Sequence, residues 1–145
     1  MVATTVAPQA FALFNGQSTA DRALAEALSQ SAKDRAENLM IVDLMRNDLS
    51  RVCRPGSVQV PELFRVESFV NVHHLVSTVV GELLPHIGAG QVLGATYPPG
   101  SITGAPKVQA MQVIAGLEPA RGPYCGSLFW ADYDGGFDSS VLIRT

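Results

Sequence analysis

The segment that most constrains the fold is VHHLVSTVVGEL, at residues 72–83. Branching at Cβ makes Val and Thr stiff in a helix and favourable in extended backbone, so the segment predicts a long strand. Two shorter alternating segments, SVQV and FRVESF, predict short strands at residues 57–60 and 64–69. At the other end of the chain, residues 127–145 predict a β-hairpin that turns at Asp134-Gly135-Gly136.

Helical segments lie between these strands. Residues 21–30 are strong helix formers, with Ser18 or Thr19 as a cap, and residues 31–49 have helical periodicity. Within the second segment, LMIVDL is equally compatible with a buried strand. Residues 91–97 predict one or two helical turns, and residues 105–117 a helix with Pro106 in its first turn. Because strands and helices do not alternate strictly, the sequence predicts an α+β fold with antiparallel sheets.

Composition excludes several classes of protein. The chain has 145 residues, is 47% hydrophobic and carries a net charge of −3, so it can fill a core. Its ten Lys and Arg residues are scattered, which predicts no nucleic-acid partner, and no apolar run approaches the ~20 residues of a membrane span. The first 14 residues lack the basic flank of a signal peptide and predict an ordinary or frayed terminus. Cys53 and Cys125 form no CxxC pair and predict two free thiols in the cytoplasm.

The loop PPGSITGAPK, at residues 98–107, has the small polar residues of a site where backbone approaches a ligand. It is not a nucleotide-binding P-loop, because Gly100 and Gly104 are one residue too close and Lys107 follows Gly104 by three residues. Two alternatives remain open. The loop is either a turn at the start of a helix, capped by Ser101 or Thr103, or an anion site at a helix N-terminus.

Carboxylates recur along residues 31–49. Asp34 and Glu37 are three residues apart, so on a helix they share a face and could bind Mg²⁺, although a solvated charged face is the simpler alternative. The RND triplet at residues 46–48 predicts ion pairs at a helix end. The adjacent His73 and His74 must point to opposite faces of a strand, so both cannot ligate one metal.

Four segments in order resemble the chorismate-utilising enzymes. They are ENLMIVDLMRNDLSRV at 37–52, VHHLVSTVVGEL at 72–83, PPGSITGAPKVQAM at 98–111 and YCGS at 124–127. Within that family they look most like the large subunits of aminodeoxychorismate synthases. The resemblance covers residues 31–145, whereas residues 1–30 match poorly. It implies antiparallel sheets packed together with helices outside, and a Mg²⁺-dependent amination of chorismate on the way to 4-aminobenzoate and folate.

The resemblance also implies roles for residues near the reacting ring. Glu37 resembles a direct Mg²⁺ ligand, with Asp34 as a partner through water. The metal would hold the ring carboxylate as the hydroxyl leaves. His74 matches the histidine of the family that lies near the ring substituents, which implies that it assists departure of the hydroxyl.

Other residues resemble the substrate-binding set of the family. Ser101 corresponds to the hydroxyl residue that lines the pocket, and Thr103 shapes the same turn. Tyr124 and Arg144 resemble the pair that grips the carboxylate of the pyruvyl ether, where a bidentate arginine would fix the orientation of the substrate.

The sequence departs from the family at three motifs. It has no P-I-K-G-T segment, whose lysine forms a covalent ring adduct in aminodeoxychorismate synthases, and only Lys33 and Lys107 are present. It also lacks the family's G-G-G-I-V strand and the E-Y-x-E-T segment with the second metal glutamate. We therefore expect an incomplete fragment of the domain. The alternatives are an anthranilate synthase or salicylate-type relative, and a non-catalytic remnant.

The resemblance implies two partners, chorismate and a glutamine amidotransferase subunit that supplies ammonia. An incomplete fragment would also expose the unpaired edges of its sheets. Such edges offer free N–H and C=O groups to other chains, which predicts self-association.

Overall fold

The computed structural model describes residues 1–6, 11–13, 18–69 and 72–143. Its helices are α1 (Ser18–Gln30), α2 (Ala32–Ser50), α3 (Ala89–Thr96), α4 (Gly100–Thr103) and α5 (Lys107–Leu117). Its strands are β1 (Val2–Val6), β2 (Phe11–Leu13), β3 (Gln59–Ser68), β4 (Val72–Gly81), β5 (Ser127–Ala131) and β6 (Phe137–Val141). None of the helices that the structure describes combines the length and apolar character needed to span a bilayer.

Strand β4, the predicted long strand, is the centre of the larger sheet. Strands β1 and β2 pair with successive parts of one edge of β4, and β3 pairs with the other edge. Strands β5 and β6 form a separate hairpin, and Gly135 in its turn has a φ of 87°. All of these pairings are antiparallel, and helices accompany them, so the predicted α+β class is confirmed.

Helix α2 packs against this sheet and supplies much of the core. The hydroxyl of Ser31 caps its N-terminus by accepting a hydrogen bond from the Asp34 amide at 3.3 Å. The ambiguous LMIVDL segment is helical, with Leu39 and Met40 exposed and Ile41 and Val42 on the buried stripe that continues to Met45 and Leu49. That stripe packs with residues from β1, β4, α3 and the turn after α2 in a cluster that consists of Val6, Ile41, Val42, Met45, Leu49, Val52, Cys53, Val79 and Ala95.

Of the two alternatives for the N-terminus, ordinary or frayed, the structure shows an ordered strand at Val2–Val6, because these residues pair with β4 and Val6 is buried. Two local predictions were wrong. The two short strands at 57–60 and 64–69 are one strand, β3, whose pairing with β4 is interrupted by two shifts of register. Pro106 is the N-cap of α5 and has a ψ of 138°, which lies outside the helical region, so the helix begins at Lys107.

The two cysteines are free thiols, as predicted, but they differ in exposure. Cys53 is buried in the core, and burial raises the pKa of its thiol, whereas Cys125 is half-buried. Because the thiolate is the reactive form, we expect an aromatic disulfide reagent at pH 7.5 to modify Cys125 in the folded protein and both thiols in denaturant. Cys125→Ser should abolish the folded-state reaction. Rapid modification of that variant would contradict the buried position of Cys53.

Candidate functional site

A buried polar network joins α2 to β4 next to two of the predicted site residues. Asn38 is fully buried, and its amide donates to the Leu75 carbonyl at 3.1 Å. The Ser77 hydroxyl donates to the Asn38 carbonyl oxygen at 2.6 Å and accepts from the Phe64 amide at 3.0 Å. Asn38 follows Glu37 and Leu75 follows His74 in the sequence, so the network fixes the backbones from which both side chains project.

The predicted metal ligands project from the first half of α2. Glu37 is exposed and Asp34 is half-buried, and neither carboxylate has a side-chain partner among the described residues. Two carboxylates one turn apart suit Mg²⁺, which takes oxygen ligands and keeps waters and substrate oxygens in its shell. In the described ranges, no three His, Cys, Asp or Glu side chains converge on one point. Asp34 and Glu37 could therefore supply at most part of the ligand shell of a Mg²⁺ ion.

The adjacent histidines occupy different environments. His73 is buried, with Nε2 at 2.6 Å from an Asp21 carboxylate oxygen and Nδ1 at 2.8 Å from the Ser68 hydroxyl. It thereby ties α1 to β3 and β4. His74 is half-buried, and its ring lies 5.3 Å from the Phe69 ring, centroid to centroid. Because side chains alternate along β4, His74 is on the sheet face opposite the one that His73 presents to α1.

The loop between α3 and α5 carries Ser101 and Thr103 inside the short helix α4. The Thr103 hydroxyl donates to the Pro99 carbonyl at 3.2 Å, and Ser101 is exposed. Neither hydroxyl caps a helix, because Pro99 and Pro106 occupy the N-cap positions of α4 and α5. The prediction of a capped turn was therefore wrong.

Two clefts divide the predicted substrate residues. The larger, of about 1080 Å³, lies between β1, α2, α3 and the hairpin, and Ser101 and Tyr97 line it. The smaller, of about 530 Å³, brings Thr103 and Tyr124 together beside Met111. The side chains of Glu37, Asp34 and His74 line neither cleft, and Arg144 lies outside the described residues.

An ion pair that the sequence analysis did not single out lies at the smaller cleft. Arg121 donates to Glu118 at 2.5 Å, and both residues line this cleft with Tyr124. This hydrogen bond lowers the pKa of Glu118 and raises that of Arg121. The cleft that holds Thr103 and Tyr124 therefore also carries an ion pair, in which the Glu118 carboxylate compensates the charge of Arg121.

Sequence reasoning also missed the roles of Asn38 and Lys107. Asn38 had a detectable signal, because it lies three residues before Ile41 and seven before Met45, on the buried stripe of α2. The role of Lys107 had no local signal, since its partner Asp48 is 59 residues away. The expectation that the RND triplet makes ion pairs was confirmed, as Arg46 pairs with Asp43 and Asp48 pairs with two cations.

The chain is similar to known proteins over most of its length. The chain is 60% identical over 119 residues to aminodeoxychorismate synthase component 1 of Klebsiella aerogenes, covering 81% of this chain and 26% of that protein. It is 50% identical over 127 residues to anthranilate synthase component 1 of Arthrobacter globiformis, covering 87% of this chain and 24% of that protein. The chain thus spans about a quarter of the length of these relatives.

The fold has counterparts among solved structures. The crystal structure of anthranilate synthase component I from Streptococcus pneumoniae TIGR4 superposes with a TM-score of 0.81 and 40% identity, covering 98% of this chain and 31% of that one. A sequence profile described as chorismate binding enzyme matches residues 14–145. This match extends over most of the chain and includes all four motifs. The chain therefore belongs to the chorismate binding enzyme family.

Proposed function

We propose that this chain forms part of an aminodeoxychorismate synthase component 1, which aminates chorismate to 4-amino-4-deoxychorismate. The observation that carries the proposal is the 60% identity to the Klebsiella aerogenes synthase, against 50% to the anthranilate synthase of Arthrobacter globiformis. In this proposal residues 31–145 contribute four motifs to a partial chorismate-binding domain. The family profile begins at residue 14, so strand β1 lies before the matched range and helix α1 within it.

In this proposal Glu37 holds Mg²⁺ directly and Asp34 does so through water. When bound, the metal supplies positive charge that binds the ring carboxylate and stabilises the departing hydroxyl. His74 donates a proton to that hydroxyl oxygen as the C–O bond to the ring breaks. The ring of Phe69, packed on His74, restricts the orientation of the imidazole and shields one side of it from water.

The remaining residues bind the substrate in this proposal. Ser101 lines the pocket, and Thr103 shapes the turn through its hydrogen bond to Pro99. Tyr124 and Arg144 bind the carboxylate of the pyruvyl ether. These contacts would orient the substrate, and correct orientation removes much of the entropic part of the activation barrier. A glutamine amidotransferase subunit supplies ammonia, and the free thiols suit a cytoplasmic enzyme.

We also propose that the chain self-associates through its hairpin. In the described part of the chain, β5 and β6 pair only with each other, and Leu128, Phe129, Trp130 and Tyr133 are exposed. Light scattering should therefore give a mass above the 15.4 kDa of one chain, and Trp130→Ser should lower it. A monomer at all accessible concentrations would contradict this proposal.

Amination of chorismate tests the proposed activity. The protein is incubated with chorismate, ammonium and Mg²⁺, and the products are separated by chromatography. Formation of 4-amino-4-deoxychorismate supports the proposal, whereas anthranilate would assign the chain to the anthranilate synthases. A folded protein that forms neither product would fit an incomplete fragment as well as the non-catalytic alternative.

A further inference from the structure

A buried carboxylate near the end of α2 holds two cations that the proposed chemistry does not use. The Asp48 side chain is 3% exposed, and its two oxygens accept from Lys107 and, at 3.2 Å, from Arg51. Lys107 is itself largely buried, with 11% of its side chain exposed. A buried charge of this kind is stable only while its partners remain in place.

The same two cations bind the last carbonyls of α3. The Lys107 ammonium donates to the Thr96 carbonyl at 3.2 Å, and Arg51 donates to the Ala95 carbonyl. Helix C-termini leave such carbonyls without intrahelical partners, and positive charge is favourable there. Lys107 and Arg51 thus provide hydrogen-bond donors both to the last carbonyls of α3 and to the Asp48 carboxylate.

These contacts join the two ends of the loop that carries Ser101 and Thr103, which are called the stem of the loop below. The loop leaves α3 after Thr96 and enters α5 at Lys107, so the bond between these two residues joins its ends. Asp48 then fixes the joined ends to α2. The loop also lies directly on this helix at Gly100, where a Cβ would come within 2.5 Å of the Leu44 side chain.

We propose that Asp48 and Lys107 are positioning residues, which hold this loop against α2 so that Ser101 and Thr103 are correctly placed for the substrate. The inference deepens the proposed function and rests on it for the identity of the substrate. The placement of the loop, however, can be tested without any substrate. Two amides report on it, because Ile102 donates to the Pro99 carbonyl and Gly104 to the Gly100 carbonyl, each at 3.0 Å.

Hydrogen exchange of these amides, followed by NMR, tests the proposal in the full chain. Lys107→Met is compared with Lys33→Met, since Lys33 is the only other lysine and is exposed. We expect exchange at Ile102 and Gly104 to accelerate at least about tenfold in Lys107→Met, with β4 amides such as Val79 unchanged. Asp48→Asn, which keeps the shape of the side chain, should give the same pattern.

Two results would overturn the proposal. Unchanged exchange in the loop would show that the stem holds without the ion pair, and equal acceleration in β4 would show a purely global loss of stability. Titration of chorismate with Mg²⁺ is the second readout, with an expected loss of affinity of about tenfold in Lys107→Met and none in Lys33→Met. If the unmodified protein binds no chorismate, the proposed function fails while the exchange result still decides the role of Lys107.

Discussion

Asn38→Ala is expected to lower the free energy of unfolding by about 3 kcal/mol, because a buried polar group that loses its partner costs about 1–3 kcal/mol. The truncation removes the amide that binds the Leu75 carbonyl and the oxygen that accepts from Ser77. It also leaves a cavity at a position with no solvent exposure. Urea denaturation followed by circular dichroism measures the change, and the loss is a large fraction of a typical domain's stability.

Asn47→Ala is the matched control, because Asn47 lies on the exposed side of the same helix. Its free energy of unfolding should change by no more than about 0.5 kcal/mol, as for ordinary surface substitutions. Equal effects of the two substitutions would contradict the buried network between α2 and β4. A loss confined to Asn38→Ala would confirm the contact that fixes the backbones of Glu37 and His74.

Glu37→Gln is expected to weaken chorismate binding in the presence of Mg²⁺ by at least about tenfold. Substitution of a residue that only orients a metal ligand lowers metal affinity or activity by about 10–100-fold. Glu37 is proposed as a ligand itself, so its substitution should have at least this effect. The substitution keeps the size of the side chain and removes its charge. Glu37 is exposed and has no ion-pair partner in the described chain, so its removal should leave the unfolding free energy unchanged.

Glu26→Gln is the control for this charge change, because Glu26 is an exposed glutamate on α1. Titration calorimetry of both variants, with and without Mg²⁺, separates a metal-dependent effect from a general effect of charge. Equal affinity in Glu37→Gln and the unmodified protein would exclude Glu37 as the ligand. Without Mg²⁺, the two variants should bind chorismate with similar affinity.

Elements with strong local patterns were predictable from the sequence. Strand β4 follows from its β-branched residues, and the β5–β6 hairpin follows from the Asp-Gly-Gly turn. Helix α2 was ambiguous only at LMIVDL, because a short apolar run fits a buried strand as well as a helix. The helical conformation is selected by tertiary contacts, because Ile41, Met45 and Leu49 pack from one side of the helix into the core.

Features that depend on distant partners were not predictable. Strand β1 has a local signal in the four β-branched residues of VATTV, but that signal does not specify its pairing with the edge of β4. The His73–Asp21 pair joins residues 52 positions apart, so spacing could place His73 on a face but could not name its partner. The bulges in β3 also depend on a distant partner, because they are shifts in its pairing with β4.

Sequence motifs indicate a set of candidate site residues, but they do not specify how these residues are arranged. Motifs identified Glu37, Ser101 and Tyr124, whereas only the structure divides the substrate residues between two clefts. It also shows that Thr103 binds the Pro99 carbonyl within its own loop. Hydrogen bonds of this kind depend on the path of the backbone, which the composition of a polar loop does not specify.

The most direct test of the account is an NMR titration of this chain with chorismate, with and without Mg²⁺. We expect Mg²⁺-dependent shifts of the amides of Glu37, Ser101, Thr103 and Tyr124, with no shift at Glu26 on α1, which lines neither cleft. Reduced shifts at the same amides in Glu37→Gln would assign the dependence to that carboxylate. Absence of any shift at millimolar chorismate, or shifts confined to other parts of the chain, would contradict the claim that these residues form part of a chorismate site.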